Sequence, residues 1–174
     1  MSLIEKINQD LKKAFKEKKE LEVLVLRGLN AAIHNKEIEK RTRLSKELSF
    51  AEASEDKEKL EKLKEGSKLT EEEFIEVISS EAKKRKEAIE EFKKGGRNDL
   101  VEKEEKELEI LKKYLPEQMS EDQIKEEAKK VIEEVSATSP QDTGKVMSAL
   151  MPKLKGKAEG GMVSKIVSEL LKNA

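Results

Sequence analysis

Apolar residues recur at intervals of three and four along almost the whole chain, which is the spacing of one face of an α-helix. The first stripe comprises Leu3, Ile4, Ile7, Leu11, Ala14 and Phe15. A polar run at 16–20 predicts a turn, and the most apolar segment of the chain follows at 21–33. The length of that segment favours a buried helix over a strand. Because no alternating run is long enough for a strand, the pattern predicts an all-α fold.

Start and stop signals divide the later stripes into separate helices. Three pairs have the spacing of a capping box, in which each side chain accepts a hydrogen bond from the other residue's backbone N–H group. They are Ser2 with Glu5, Thr70 with Glu73, and Ser120 with Gln123. The pair Gly95–Gly96 predicts a helix end. Asn98 or Asp99 is expected to cap the next helix, which Pro116 would stop.

The tail also contains helix start and stop signals. Ser139 followed by Pro140 predicts the start of one short helix, and Pro152 with Gly156 marks its end. Gly160–Gly161 precedes a last amphipathic segment. The tail therefore contains three short helices.

Helix length and charge both change near Pro116, which predicts a boundary there. We expect an N-terminal bundle of long helices at 1–115 and a small three-helix domain at 116–174. Residues 42–68 have few large apolar side chains and many charges, so they are expected to form a helical or mobile extension that buries little surface. Removing them should cost little stability.

Composition excludes several classes of function. The chain of 174 residues has 37 Lys and Arg against 38 Asp and Glu, so it lacks the overall positive charge typical of nucleic-acid proteins. It has no Cys and one His, which excludes disulfides, thiol nucleophiles and zinc sites built from Cys or several His. No apolar run approaches a membrane span, and the first residues do not resemble a signal peptide. A soluble, cytoplasmic protein without membrane contact is expected.

Two groups of residues could be considered for catalysis or metal binding. His34 is the single histidine, and it has no recognisable nucleophile or carboxylate partner in the sequence. The second group is a run of carboxylates at Glu102, Glu104, Glu105, Glu107 and Glu109. They alternate with Lys103 and Lys106 around several faces of one helix, which indicates a solvated, ion-paired surface. We therefore predict no catalytic residue, no metal site and no cofactor.

Positive charge is concentrated at the end of the chain. Residues 143–174 hold six basic and two acidic side chains, a net charge of +4. Lys153, Lys155 and Lys157 alternate with smaller or apolar residues across a turn that contains Gly156. A compact group of lysines beside the N–H groups of a helix start suits a phosphate backbone. A loop whose lysines only confer solubility would have the same sequence pattern.

Four segments have a distinctive combined pattern. They are VLRGLNAAIHNKEIEK at 25–40, LTEEEFIEVISSEAKKRKEAIEEFKKGGRNDL at 69–100, KEEKELEILKKYLPEQMSEDQI at 103–124 and DTGKVMSALMPKLKGKAEGGMVSKIVSELL at 142–171. Together they resemble the YqeY-like family. The GKVM and KGKA elements of the last segment are also similar to the tail of the GatB subunit of the tRNA-dependent amidotransferase, a relationship written GatB/YqeY.

The chain departs from the family pattern at two places. Residues 42–68 stand as an insertion where the family passes directly from EIEKR to LT. Glu159 stands where the family usually has Asp before Gly. Because Asp caps helices well and Glu poorly, the last helix is expected to begin later than in the family.

The resemblance implies a two-part helical fold whose tail contacts tRNA. It also links the chain to glutamine-dependent carbon–nitrogen ligases, although the catalytic work of GatB belongs to a separate domain that nothing here resembles. We therefore predict a non-catalytic protein that binds tRNA, or a complex for tRNA-dependent amidation, through its tail. The predicted phosphate contacts are Lys153, Lys155 and Lys157, with Lys145 and Lys165 as supporting charges.

Two other functions compete with this prediction. A protein-interaction adaptor would use the long helices and the 42–68 extension, and its tail lysines would only confer solubility. An amidotransferase in its own right would need a nucleophile such as Cys or an activated Ser, and the sequence has no Cys and no recognisable Ser motif.

Overall fold

The computed structural model describes residues 2–49 and 65–172, and every regular element within these ranges is a helix. This confirms the all-α prediction. The α-helices are α1 Leu3–Lys16, α2 Glu20–Ser49, α3 Glu71–Lys94, α4 Asn98–Lys112, α5 Glu121–Glu134, α6 Thr143–Leu150 and α7 Gly160–Lys172. A 3₁₀-helix at Pro140–Asp142 leads directly into α6. Within the same ranges, no helix has both the length and the apolar character needed to cross a bilayer.

The predicted capping boxes are confirmed at the starts of α1, α3 and α5. In each of them, both reciprocal bonds between side chain and backbone are present, so orphan N–H groups of the first turn are satisfied. The predicted end of α3 is also confirmed. Gly96 adopts φ +68°, and the N–H of Arg97 donates to the carbonyl of Phe92 at 2.9 Å. Together with the 3.2 Å bond from Gly96 to Lys93, this is the Schellman arrangement.

The predicted cap of α4 is wrong. The helix begins at Asn98 and its N-cap is Arg97, which makes no side-chain capping bond. Asn98 and Asp99 therefore lie within the first turn. Arg97 donates to both carboxylate oxygens of Asp99, at 3.0 and 2.9 Å, and this bonding holds the pKa of Asp99 below its usual value. Only Arg97 stands between the left-handed Gly96 and the start of α4, so the cap position falls on a residue whose side chain makes no capping bond.

Contacts divide the chain into two compact units that meet in the sequence between Tyr114 and Leu115. The first, unit 1, contains α1 to α4. The predicted buried helix at 21–33 is part of α2, which continues to Ser49. Residues 42–49 of the predicted extension are thus helical, whereas residues 50–64 lie outside the described part of the chain. The side chains that form the core of unit 1 include Ile7, Leu26, Leu29, Ile78 and Leu111.

Among the described residues of unit 1, one carboxylate is buried: Glu107 on α4, whose side chain is 4% exposed. Arg85 on α3 bonds Glu107 at 3.1 Å and Glu104 at 3.0 Å. Lys103 lies 4.0 Å from Glu107. The carboxylate run is therefore not a uniformly solvated surface, because Arg85 draws two of its members toward α3.

Unit 2 consists of α5, the 3₁₀-helix, α6 and α7. Each α-helix contributes fully buried side chains to one cluster: Ile124, Ala128 and Val131 from α5, Val146 and Leu150 from α6, and Val163 and Val167 from α7. No Phe, Tyr or Trp occurs in this part of the sequence. The core of the unit that carries the predicted lysines therefore contains no aromatic side chain.

Candidate nucleic-acid interface

The turn that carries three of the predicted lysines is built around one buried side chain. After α6 ends at Leu150, the chain makes successive turns through 151–157. Leu154 is 1% exposed and belongs to the core of unit 2. Its N–H group lies 3.2 Å from the carbonyls of both Leu150 and Met151. Gly156 adopts φ +73°, a conformation that glycine reaches without steric cost. Leu154 thus anchors the turn at 151–157, which we call the lysine turn. Lys153 and Lys157 are exposed on it.

The segment that leads into unit 2 braces the same turn. The side-chain amide of Gln118 donates to the carbonyl of Gly156 at 2.7 Å and to that of Pro116 at 3.0 Å. The N–H of Met119 donates to the carbonyl of Lys157 at 2.8 Å. Each of the carbonyls of Gly156 and Lys157 therefore accepts a hydrogen bond from a residue 38 positions earlier in the chain. Without these donors the two carbonyls would bind water.

Two of the five predicted lysines are tied to neighbouring groups in unit 2. Lys153 donates to Glu134 at 2.8 Å. Lys145 donates to the carbonyl of Val135 at 2.6 Å, at the C-terminal end of α5. A cation at this position satisfies a free carbonyl and complements the negative end of the helix dipole. Lys145 therefore acts chiefly as a C-terminal cap of α5, a role that the sequence analysis missed.

The other three lysines differ in their exposure. Lys155 is half-buried and has a further polar interaction. Lys157 and Lys165 are exposed, and neither side chain forms an ion pair or hydrogen bond with any residue in 2–49 or 65–172. These two are the lysines that can bind an external anion without first losing an internal partner.

The first turn of α7 lies between Lys157 and Lys165 in the sequence. The two glycines that were expected to precede this helix lie within its first turn, because α7 begins at Gly160 and the N–H of Val163 donates to the carbonyl of Glu159 at 3.0 Å. A helix start needs only this backbone carbonyl, so a poor side-chain cap does not delay it. The N–H groups of the first turn have no acceptor within the helix. Gly161 and Met162 in this turn are exposed, and a Cβ atom built on Gly161 would meet nothing within 4 Å.

The connection between α5 and α6 is fixed by Asp142. Its carboxylate accepts bonds from the N–H groups of Thr138 and Ser139 and from the hydroxyl of Ser139, at 3.0–3.1 Å. The bond from Thr138, followed by those from Ser139, lowers the pKa of Asp142 below its ordinary value. The carboxylate therefore stays ionised well into the acidic range and keeps the start of α6 in place.

The other candidate residues are not brought together into a site. His34 is exposed, and its Nδ1 lies 3.9 Å from Glu37 one helical turn away. Glu104 and Glu107 bind Arg85, and Glu105 binds Lys93 at 3.1 Å. In the described ranges no three His, Cys, Asp or Glu side chains are grouped as a metal would require. Three of the five carboxylates, Glu104, Glu105 and Glu107, are ion-paired, and the placement of the run entirely on a solvated surface was wrong for Glu107.

Gln118 and Glu134 contact the lysine turn but were not predicted from the sequence. Gln118 lies two residues after Pro116, and nothing in its local sequence indicates which carbonyl its side chain would reach. Glu134 is one of several carboxylates on α5, and its distance from Lys153 depends on how α5 packs against the turn. The sequence feature that comes closest to predicting these contacts is the net negative charge of 116–142 beside the net positive charge of 143–174.

The sequence pattern of the family described as Yqey-like protein matches residues 48–171, which is more than half of the chain. The segment at 25–40 that also carries the resemblance lies outside this match. Among curated proteins, the chain is 36% identical over 109 residues to Altered inheritance of mitochondria protein 41, mitochondrial, of Lachancea thermotolerans. The match covers 63% of this chain and 46% of that protein.

Two further relatives show similar coverage or less. The protein with the same name from Kluyveromyces lactis is 35% identical over 108 residues, which cover 62% of this chain and 45% of the relative. An uncharacterised protein of Schizosaccharomyces pombe is 48% identical over 46 residues, or 26% of this chain and 37% of the relative. The chain thus spans less than half of the length of these relatives. The extent of the family match and the residues that carry it show that the chain belongs to the YqeY-like family.

Proposed function

We propose that unit 2 binds the phosphate backbone of tRNA through Lys157, Lys165 and the first turn of α7. The observation that carries the proposal is that Lys157 and Lys165 are exposed, have no internal partner within the described ranges and lie on either side of the first turn of α7 in the sequence. Backbone N–H groups and lysines are the usual phosphate ligands in nucleic-acid complexes.

The distribution of charge restricts how an RNA would approach. Residues 116–142, which include α5, hold eight acidic and three basic side chains, whereas residues 143–174 have a net charge of +4. An RNA is therefore repelled by α5 and attracted to α6, the turn and α7. This side of unit 2 is the proposed binding surface.

The proposed recognition reads the backbone and not the bases. Unit 2 has no aromatic side chain on which a base could stack, and stacking is a main source of affinity for unpaired bases. Binding should therefore be salt-sensitive and tolerant of sequence, with a dissociation constant near the micromolar range that is typical of non-specific complexes.

The choice of tRNA rests on the similarity of the tail to that of GatB. The proposal extends to a tRNA-dependent amidation complex as the partner and to the cytoplasm as the location. The names of the two yeast relatives refer to mitochondria, and those names describe those proteins. A protein-interaction adaptor is the competing function.

The test measures binding of bulk tRNA by the full chain at several salt concentrations. If Lys157 and Lys165 each neutralise one phosphate, log K should fall with log salt with a slope of about −2. The double variant Lys157→Glu with Lys165→Glu should abolish binding at moderate salt. The matched control is Lys129→Glu with Lys172→Glu, which makes the same change in charge at two exposed lysines of unit 2.

The control separates this surface from general positive charge. Equal losses in the two double variants would show that RNA responds only to net charge. Absence of tRNA binding by the unaltered protein at low salt would contradict the proposal and favour the adaptor.

A further inference from the structure

The solvent-facing side of α2 carries large apolar side chains. Val25, Leu26 and Leu29 point into the core of unit 1 and are at most 5% exposed. On the opposite side, Leu24 is 56% and Ile38 43% exposed. Isolated exposed apolar residues are common and need no explanation. Here, however, they belong to a continuous row of exposed residues, which we name the outer stripe: Leu24, Gly28, Ala31, Asn35 and Ile38.

The spacing of the outer stripe is that of a helix that pairs with another helix. Its members are four, three, four and three residues apart, so the pattern repeats every seven residues. A seven-residue repeat keeps a stripe facing one partner along a pair of supercoiled helices. Leu24 and Ile38 are separated by 14 residues, or about 21 Å along the helix.

The middle of the outer stripe is open to close approach. Gly28, Ala31 and Asn35 line a groove of about 590 Å³, with Val77 and Ser80 of α3 on its other wall. A Cβ atom built on Gly28 would meet nothing within 4 Å. Lysines at the edge are paired within their own helices, Lys36 with Glu39 at 3.3 Å and Lys84 with Glu81 at 2.6 Å. The small residues of the groove therefore allow another helix to approach closely. Because Lys36 and Lys84 are already paired, neither is free to bind an anion.

The outer stripe is nearly symmetric about Ala31. Leu24 lies seven residues before Ala31 and Ile38 seven residues after it. Farther out, Glu20 lies eleven residues before and Arg41 ten residues after it, and both are on the same flank of the stripe. Leu24 and Glu20 thus have matching groups, Ile38 and Arg41, at nearly the same distance on the other side.

We propose that the outer stripe binds the same stripe of a second copy of this chain, with the two α2 helices antiparallel and a two-fold axis at Ala31. A two-fold interface requires a patch that is complementary to itself. In this arrangement Leu24 contacts Ile38 of the partner subunit, and Glu20 meets Arg41 of the partner subunit. The opposite charges of that second contact identify another copy, in antiparallel orientation, as the occupant.

Glu20 and Arg41 are available for this contact. Neither forms an ion pair with a residue in 2–49 or 65–172, and the Nε atom of Arg41 is buried without a hydrogen-bond partner there. A buried donor without an acceptor costs free energy. Pairing the Arg41 guanidinium with a carboxylate of the second copy would fix the orientation of this side chain.

The proposed interface is small. Stable complexes bury about 1,200–2,000 Å² in total, and a single pair of helices lies at the lower end of this range. We therefore expect a dimer that forms in the micromolar range, rather than an obligate one.

The test measures the molar mass of the full chain by sedimentation over about three decades of concentration, because dimerisation depends on concentration. The mass should rise toward twice that of one chain. Leu24→Glu should weaken dimerisation at least about tenfold, because it buries a charge. The matched control is Met162→Glu, at another exposed apolar residue, 41% exposed and in unit 2. It should leave the mass unchanged. Circular dichroism checks that both variants remain folded.

A charge exchange tests the orientation. Glu20→Arg alone and Arg41→Glu alone should each weaken the dimer, and the double variant should restore it, because each variant chain then again presents opposite charges at the two ends of the stripe. A single-chain mass at all concentrations would overturn the proposal. So would a dimer that Leu24→Glu and Met162→Glu affect equally, and failure of the double variant to rescue would overturn the antiparallel register.

Discussion

Lys153 and Glu134 form an ion pair at 2.8 Å that connects the lysine turn to the last turn of α5. Both side chains are well exposed, at 44% and 57%, so the pair contributes little to stability. Its importance is for binding, because a phosphate that contacts Lys153 must compete with the carboxylate of Glu134.

Removing the carboxylate should strengthen RNA binding. Glu134→Gln frees Lys153 and removes one negative charge beside the turn. Because an exposed ion pair is worth at most about 1 kcal/mol, the gain in tRNA affinity should stay below about fivefold. Glu133→Gln makes the same change in charge at the neighbouring exposed position and should have a smaller effect. Equal gains would mean that Lys153 does not contact the RNA.

Gln118 should position the lysine turn without touching RNA. Gln118→Ala removes the donor to Gly156, a bond worth about 1 kcal/mol, so the dissociation constant for tRNA should rise by up to about fivefold. The slope of log K against log salt should not change, because no charge is lost. Gln141→Ala, at another exposed glutamine of unit 2, should have no effect. A lower melting temperature with unchanged affinity would show that Gln118 only stabilises the fold.

Breaking the buried pair of Arg85 and Glu107 should destabilise unit 1. Arg85→Met leaves the carboxylate of Glu107 buried, with only Lys103 nearby at 4.0 Å. Loss of one partner of a fully buried pair costs about 3–5 kcal/mol, and the partial exposure of Arg85 reduces the expected cost to about 2 kcal/mol. Denaturant unfolding measures this change. The control, Arg97→Met, breaks the exposed pair with Asp99 and should cost less than about 1 kcal/mol.

Tyr114 should ionise only at unusually high pH while the protein is folded. Its burial, followed by the 2.8 Å bond that its hydroxyl donates to Asp10, raises its pKa above the ordinary value. The chain has a single tyrosine, so ultraviolet absorbance of the phenolate reports this group alone. The unfolded chain should titrate near pH 10, and the folded chain above that. Asp10→Asn should lower the pKa of Tyr114 toward the ordinary value.

The direction of the pH effect on stability follows from this shift. Because the folded pKa of Tyr114 is raised, its contribution is fully present below the unfolded pKa of about 10. It is lost as the pH rises from there through the folded pKa. Unfolding free energies measured above pH 10 should therefore fall less steeply in Asp10→Asn. A folded chain whose Tyr114 titrates near pH 10 would contradict the prediction.

Mild proteolysis should separate two folding units near Tyr114–Ser120. Exposed linkers are cut before packed helices, and a cut here releases a C-terminal fragment of about 55 residues. Mass spectrometry of the first products identifies the site. First cuts within 70–110 would place the boundary elsewhere.

Local signals in the sequence were sufficient where structure is decided by neighbouring residues. The capping boxes at Ser2, Thr70 and Ser120 and the end of α3 at Gly96 depend on contacts within a few positions, and all were predicted correctly. The cap of α4 was missed because the Schellman turn and the pair of Arg97 with Asp99 together replace a conventional cap. Residue propensities for the cap position do not predict that Arg97 would occupy it.

The environment of each candidate lysine depends on tertiary packing. The sequence presents Lys145, Lys153 and Lys157 as equivalent positive charges. The fold directs Lys145 to the end of α5 and Lys153 to Glu134, and leaves Lys157 without a partner in the described ranges. Likewise, Glu107 became a buried carboxylate because α3 places Arg85 opposite it, a relationship between residues 22 positions apart that periodicity cannot reveal.

The hydrogen bonds from Gln118 and Met119 to the lysine turn determine how much of the chain a transplanted unit 2 would need. A graft that began at the first helix, with Ser120 as its cap, would contain every lysine and every buried residue of α5 to α7. It would nevertheless lack both donors, and the carbonyls of Gly156 and Lys157 would be left to water. To carry the proposed interface to another protein, the transferred segment must start ahead of Gln118, in the non-helical connection between α4 and α5.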